Sequence, residues 1–96
     1  MTSLNHIPLE AITLYQKALE QTNKGNQELA LKHLSYAVMI APEFSTALCE
    51  MGRCYEKLGR FSEALSKFDK VLQINQSHIE AEMNRKRILD KMGRSQ

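Results

Sequence analysis

The chain has 96 residues, 43% apolar and 25% charged, with six aromatic side chains and no tryptophan. This suits one small domain with a thin, mainly aliphatic core and excludes a largely disordered chain. The net charge of +2 is too small to mark a nucleic-acid binder by itself, although residues 49–96 carry ten Lys or Arg against seven acids.

Leu9, Ala11, Ile12, Leu14, Tyr15, Ala18 and Leu19 recur at helical spacing, and Pro8 suits a first-turn position, so the first helix is expected over about Pro8 to Asn23. Lys24-Gly25-Asn26 breaks it: glycine accepts the left-handed conformation of a helix end, and Asn26 suits the next N-cap. Leu29, Ala30, Leu34, Ala37, Val38 and Ile40 predict a second helix ending at Ala41-Pro42. A third is expected over about Phe44 to Leu58, closed by Gly59, and a fourth from Phe61 to Ile74. Ser77 is the expected N-cap of a fifth, about His78 to Met92, whose sparse apolar residues predict a cap.

Gly25, Gly59 and Gly93 stand 34 residues apart, and the same step relates Pro8 to Pro42, Ala30-Leu31 to Ala64-Leu65, and Ile40 to Ile74. A 34-residue period of two helical patterns predicts a helix-turn-helix solenoid, whose units bury their apolar faces only against neighbours. The expected fold is all-α: one domain, residues 1–96, of about five antiparallel helices in an α-α superhelix.

With Leu48, Met51, Gly52, Tyr55, Gly59, Phe61, Ala64, Phe68 and Val71 at their spacing, residues 45–78 resemble a tetratricopeptide repeat. Residues 11–44 resemble a second unit through Leu14, Ala18, Gly25, Ala30, Leu34, Ala37, Ile40 and Pro42, although Lys17 and Gln21 occupy normally apolar places and predict looser packing of the first helix. Residues 79–92 supply only a first helix, with Glu82, Arg85 and Lys86 where a partner helix would need apolar or small residues, so the superhelix is expected to be capped there.

The resemblance implies a concave face lined by the first helix of each unit. Its positions here are Ile12, Tyr15, Gln16, Leu19, Thr22 and Asn23, then Thr46, Cys49, Glu50, Arg53, Glu56 and Lys57, then Glu80, Met83, Asn84, Arg87, Asp90 and Lys91. Ile12, Tyr15 and Leu19 form an apolar stripe on a side expected to face solvent, unless Leu4 and Ile7 fold over it. Some members of the family grip the C-terminal carboxylate of a chaperone peptide with lysine, asparagine and arginine. The equivalent places hold Tyr15, Leu19, Glu50, Glu80 and Asn84, which disfavours such a tail.

Arg85-Lys86-Arg87, with Lys91 and Arg94, is interleaved by Glu82 and Asp90 and lacks stacking aromatics, so it is expected to be a solvated face rather than a nucleic-acid site. His6, His33 and His78 have no metal-ligand spacing and are expected at the surface, and each glycine is isolated, with no phosphate loop. Cys49 and Cys54 lie about 140° apart on one helix. As free thiols they fit a reducing, cytoplasmic compartment. No segment resembles a signal or membrane span, so the chain is expected to be soluble.

The function expected is therefore a noncatalytic interaction module, without cofactor, metal or membrane, holding a peptide or partner protein in the groove. The alternative is a homodimer or larger assembly through the stripe on the first helix.

Overall fold

A computed structural model describes residues 6–93, so Leu4 and Arg94 lie outside the described residues. Among the described residues there are five helices: α1 Leu9–Asn23, α2 Gln27–Ile40, α3 Ser45–Lys57, α4 Phe61–Ile74 and α5 Ile79–Lys91. Each lies within a residue or two of its predicted bounds, because the punctuating residues act where they stand. Gly25, Gly59 and Gly93 have φ of 81°, 77° and 76°, a region costly for any residue with a Cβ.

After α1 the Gly25 N–H donates to the Thr22 carbonyl at 3.0 Å and the Asn26 N–H to Gln21 at 2.8 Å. After α3 the Gly59 N–H reaches Glu56 at 3.0 Å and the Arg60 N–H reaches Tyr55 at 2.9 Å. These are Schellman closures, and side chains cross each one. Asn26 Nδ2 donates to Gln21 Oε1 at 3.0 Å, and the Arg60 guanidinium lies 5.0 Å from the Tyr55 ring centroid. Asn26 thus occupies the N-cap place of α2 but gives no side-chain cap bond, because its amide is engaged backwards.

The expected Ser77 cap is displaced by one residue. The Ser77 N–H donates to Asn75 Oδ1 at 3.0 Å, forming an Asx turn, and His78 becomes the N-cap, its Nδ1 accepting from the Ala81 N–H at 3.2 Å. His78 therefore has a capping role rather than lying free at the surface.

Consecutive helices pack on one another throughout. The connections of three or four residues turn each helix back along its predecessor, and the Cα envelope of 39 × 35 × 17 Å is two helix layers thick. Three pairs of residues 34 apart, Ala30 and Ala64, Leu34 and Phe68, Ala37 and Val71, are fully buried. Small residues let the helices approach while larger ones fill the remaining space. α1 contributes only Ala11 and Ala18 to the fully buried set, with Ile12, Leu14 and Tyr15 packed against it.

The two ends of the stack are polar. Ala47 and Cys54 on α3, and Ala81 and Ile88 on α5, are buried, and both helices have a preceding helix to pack on; the matching places on α1 hold exposed Thr13 and Glu20. Met51 and Gly52 are buried in α3, while Arg85 and Lys86 stand at those places on α5, Arg85 bonding Asp69 on α4 at 2.6 Å. Among the described residues no helix is long and apolar enough to cross a membrane.

Candidate functional site

Side chains of α1, α3 and α5 meet on one face, which divides into an apolar half and an ionic half. On α1, Ile12, Tyr15 and Leu19 are half-buried, while Gln16 and, at the start of α3, Thr46 are exposed. The stripe is therefore less open than expected. Ile12 and Tyr15 pack against the core, and the Tyr15 ring lies 5.5 Å from that of Phe44, tilted by 53°. Such aromatic pairs fix ring position as well as bury area. The Tyr15 hydroxyl titrates above its usual value because of burial and the nearby Glu50 carboxylate, so it remains a neutral donor at the border of the ionic half. Ile7 also packs against the core.

The ionic half is tied together across α3 and α5. Arg53 donates from Nε and Nη2 to Glu50 Oε1 at 3.2 and 2.8 Å, and from Nη1 to Glu80. Glu56 accepts from Arg87 Nε and Nη2 at 3.0 and 2.8 Å and from Lys91 Nζ at 2.8 Å. Lys91 also stands 5.9 Å from the Phe61 ring centroid. The hydrogen bond from Arg87, reinforced by Lys91, overcomes the opposing effect of burial and holds the Glu56 carboxyl at about 2, well below the usual 4.5.

The folded state binds the Glu56 proton more weakly than the unfolded state, so its stabilisation is full above about 4.5 and is lost as pH falls towards 2. Urea midpoints followed through this range should fall less steeply for Glu56→Gln than for the native chain. Parallel slopes would contradict the assignment.

Of the expected site residues, Cys49 is corrected: it is 2% exposed and lies beneath the face rather than on it. It stands between Tyr15 on α1 and Glu80 on α5, whereas the matching Met83 on α5, with no later helix among the described residues, is 63% exposed. Asn84 is also buried, at 7%, and offers little surface to a ligand. Arg53 and Glu50 are half-buried, and Lys57 and Arg87 are exposed. Burial pushes both the Cys49 and Cys54 thiols up to about 11, the opposite of what an activated nucleophile requires.

Three features had no signal in the motifs. One is a cleft of about 620 Å³ between α2 and α4, lined by Val38, Pro42, Leu65, Asp69 and Lys70 among others. A second, of about 750 Å³, lies between the segment before α1 and the loops entering α3 and α5, against Ile7, Pro8, Phe44 and Ile74. The third is the outer side of α2, where Leu29, Tyr36 and Met39 are 41%, 50% and 72% exposed; comparison with α4 34 residues on, where Glu63, Lys70 and Gln73 stand, could have found it.

Residues 45–78 match the family model described as Tetratricopeptide repeat. Among solved structures, the fold is similar to MamA 41-end from Desulfovibrio magneticus RS-1, with a TM-score of 0.86 and 24% identity over 91% of this chain and 49% of that one. A MamA RS-1 ArsTM double mutant gives 0.87 and 24%, with the same coverage; this chain spans about half the length of both. The first TPR of Spaghetti (RPAP3), bound to the HSP90 peptide SRMEEVD, gives 0.85 at 18% identity, covering 93% of this chain and 71% of that one. At these identities the likeness is one of fold.

Proposed function

We propose that this chain, which carries a tetratricopeptide repeat at residues 45–78 within the fold of that repeat family, is a noncatalytic interaction module holding a peptide or partner-protein segment on the face of α1, α3 and α5. Residues 11–44 and 45–78 are taken as its complete units and 79–92 as a capping helix. The carrying observation is the juxtaposition on that face of half-buried Tyr15, in the stripe with Ile12 and Leu19, with the ion-paired Glu50, Arg53 and Glu80 of α3 and α5. An apolar anchor gains affinity by leaving water, and the charges set register and discriminate partners.

A chaperone tail is not the proposed ligand. The neighbour from Spaghetti is bound to such a peptide, but here Glu50 and Glu80 stand at two of the gripping places and both engage Arg53. The free thiols fit a reducing, cytoplasmic setting.

Selection from a phage-displayed random-peptide library, followed by calorimetry, tests the reading. Selected peptides should share an apolar residue and lose about tenfold or more in affinity on Tyr15→Ala, the scale of a central aromatic contact, with the fold checked by circular dichroism. Peptides bound equally well by Tyr15→Ala and Leu19→Ala would overturn it.

Self-assembly is the second reading, and the exposed Leu29, Tyr36 and Met39 favour α2 over α1 as its surface. Light scattering that finds a monomer at every concentration would contradict it.

A further inference from the structure

At the end of α3 and α5 the face sinks into a cleft of about 300 Å³ lined by Arg53, Glu56, Lys57, Arg87 and Lys91. Four cations meet one carboxylate there, and they are not equivalent. Arg53 is committed elsewhere, through all three of its donor nitrogens, to Glu50 and Glu80. Glu56 lies at the floor, its side chain 9% exposed, and its two oxygens take three bonds from Arg87 and Lys91.

One negative charge thus holds two positive ones in place without cancelling both. Lys57 adds another and has no ion-pair partner among the described residues. Arg87 Nη1, two of the three Lys91 protons and the whole Lys57 ammonium remain available as donors. At the other end, Glu50 and Glu80 share Arg53 and leave an excess of negative charge. Even with exposed Asp90 counted beside Glu56 against Lys57, Arg87 and Lys91, the face is polarised along the helix axes, negative near the start of α5 and positive near the ends of α3 and α5.

We infer that this cleft is an anion site, taking a carboxylate or phosphate carried by the bound segment, and that the segment lies with its acidic group over Lys57, Arg87 and Lys91. The inference rests on the groove reading and adds a polarity to it. Glu56 need not be displaced: it fixes the two cations, so the ligand anion meets donors already oriented, which lowers the ordering loss on binding. Lys57 takes no part in joining α3 to α5: it is exposed, bonded to neither helix's carboxylates, and its charge favours the last turn of α3 while its ammonium stays open to a ligand.

Calorimetry on the intact chain separates the possibilities, using four peptides of equal length that share a leucine anchor and carry paired glutamate, phosphoserine, glutamine or lysine at one site. The glutamate or phosphoserine peptide should bind about fivefold more tightly than the glutamine peptide; the ratio of the two acidic peptides tells carboxylate from phosphate. The preference should shrink in Lys57→Gln, turn towards the lysine peptide in Lys57→Glu, and weaken with added salt. Equal binding of all four peptides, or an acidic preference untouched by both Lys57 variants, would overturn the inference while leaving the groove reading intact, provided Tyr15→Ala still lowers affinity about tenfold or more. Failure of every peptide to bind would overturn both.

Discussion

Truncation of Phe68 to alanine is expected to lower the unfolding free energy by about 3–5 kcal/mol, measured by urea denaturation. Phe68 is 0% exposed and heads the fully buried side chains by volume. It projects from α4 against the backbone of α3 at Gly52. Those helices are part of a two-layer fold with no second core among the described residues to compensate, so the vacated space cannot be refilled without moving the pair. In a domain of this size the whole stability is about 5–15 kcal/mol. At roughly 4–8 °C per kcal/mol the melting temperature should drop by well over ten degrees. A loss below about 1 kcal/mol would show that the Phe68 ring is not packed as described.

Gly52→Ala should also destabilise, by about 1–3 kcal/mol, although alanine is the better helix former by up to about 1 kcal/mol. A Cβ at Gly52 would stand 2.5 Å from Phe68 Cζ and 2.7 Å from Cε2, too close unless the buried ring moves. The 34-residue step supplies a control within the molecule. Gly52 and Phe68 correspond to Ala18 and Leu34, all buried, so one unit pairs the smaller residue with the larger ring and the other balances the two. Importing the first unit's pair, Gly52→Ala with Phe68→Leu, should therefore recover much of the stability lost by Gly52→Ala alone. Additivity of the two changes within about 0.3–0.5 kcal/mol would contradict the contact.

Local punctuation made the helices legible in the sequence. A glycine forced to positive φ, a proline after Ala41 and the small residues of the helix crossings each act through their immediate neighbours. His78 escaped for the converse reason: the Asx turn at Asn75 moves the helix start by one residue, a choice of bonds that composition does not express. The groove positions came from a register, which gives the direction of a side chain but not what lies over it. Hence Cys49 went beneath the surface between flanking helices, while Met83 stayed exposed. The ionic half was legible only as residue types, since Glu56 and Arg87 are 31 residues apart and their pairing needs α3 and α5 brought side by side. The outer face of α2 was present in the internal repeat, but the helical pattern reports what is buried in each helix and not how two equivalent helices differ outside.

Whether partners are held on the face of α1, α3 and α5 is read from a chemical-shift map of the chain titrated with a peptide selected for binding. Perturbations should centre on Tyr15, Gln16, Arg53 and Arg87, with the outer residues of α2 and α4 unmoved. Perturbations gathered instead on Leu29, Tyr36 and Met39, with Tyr15 and Arg53 silent, would contradict binding on that face.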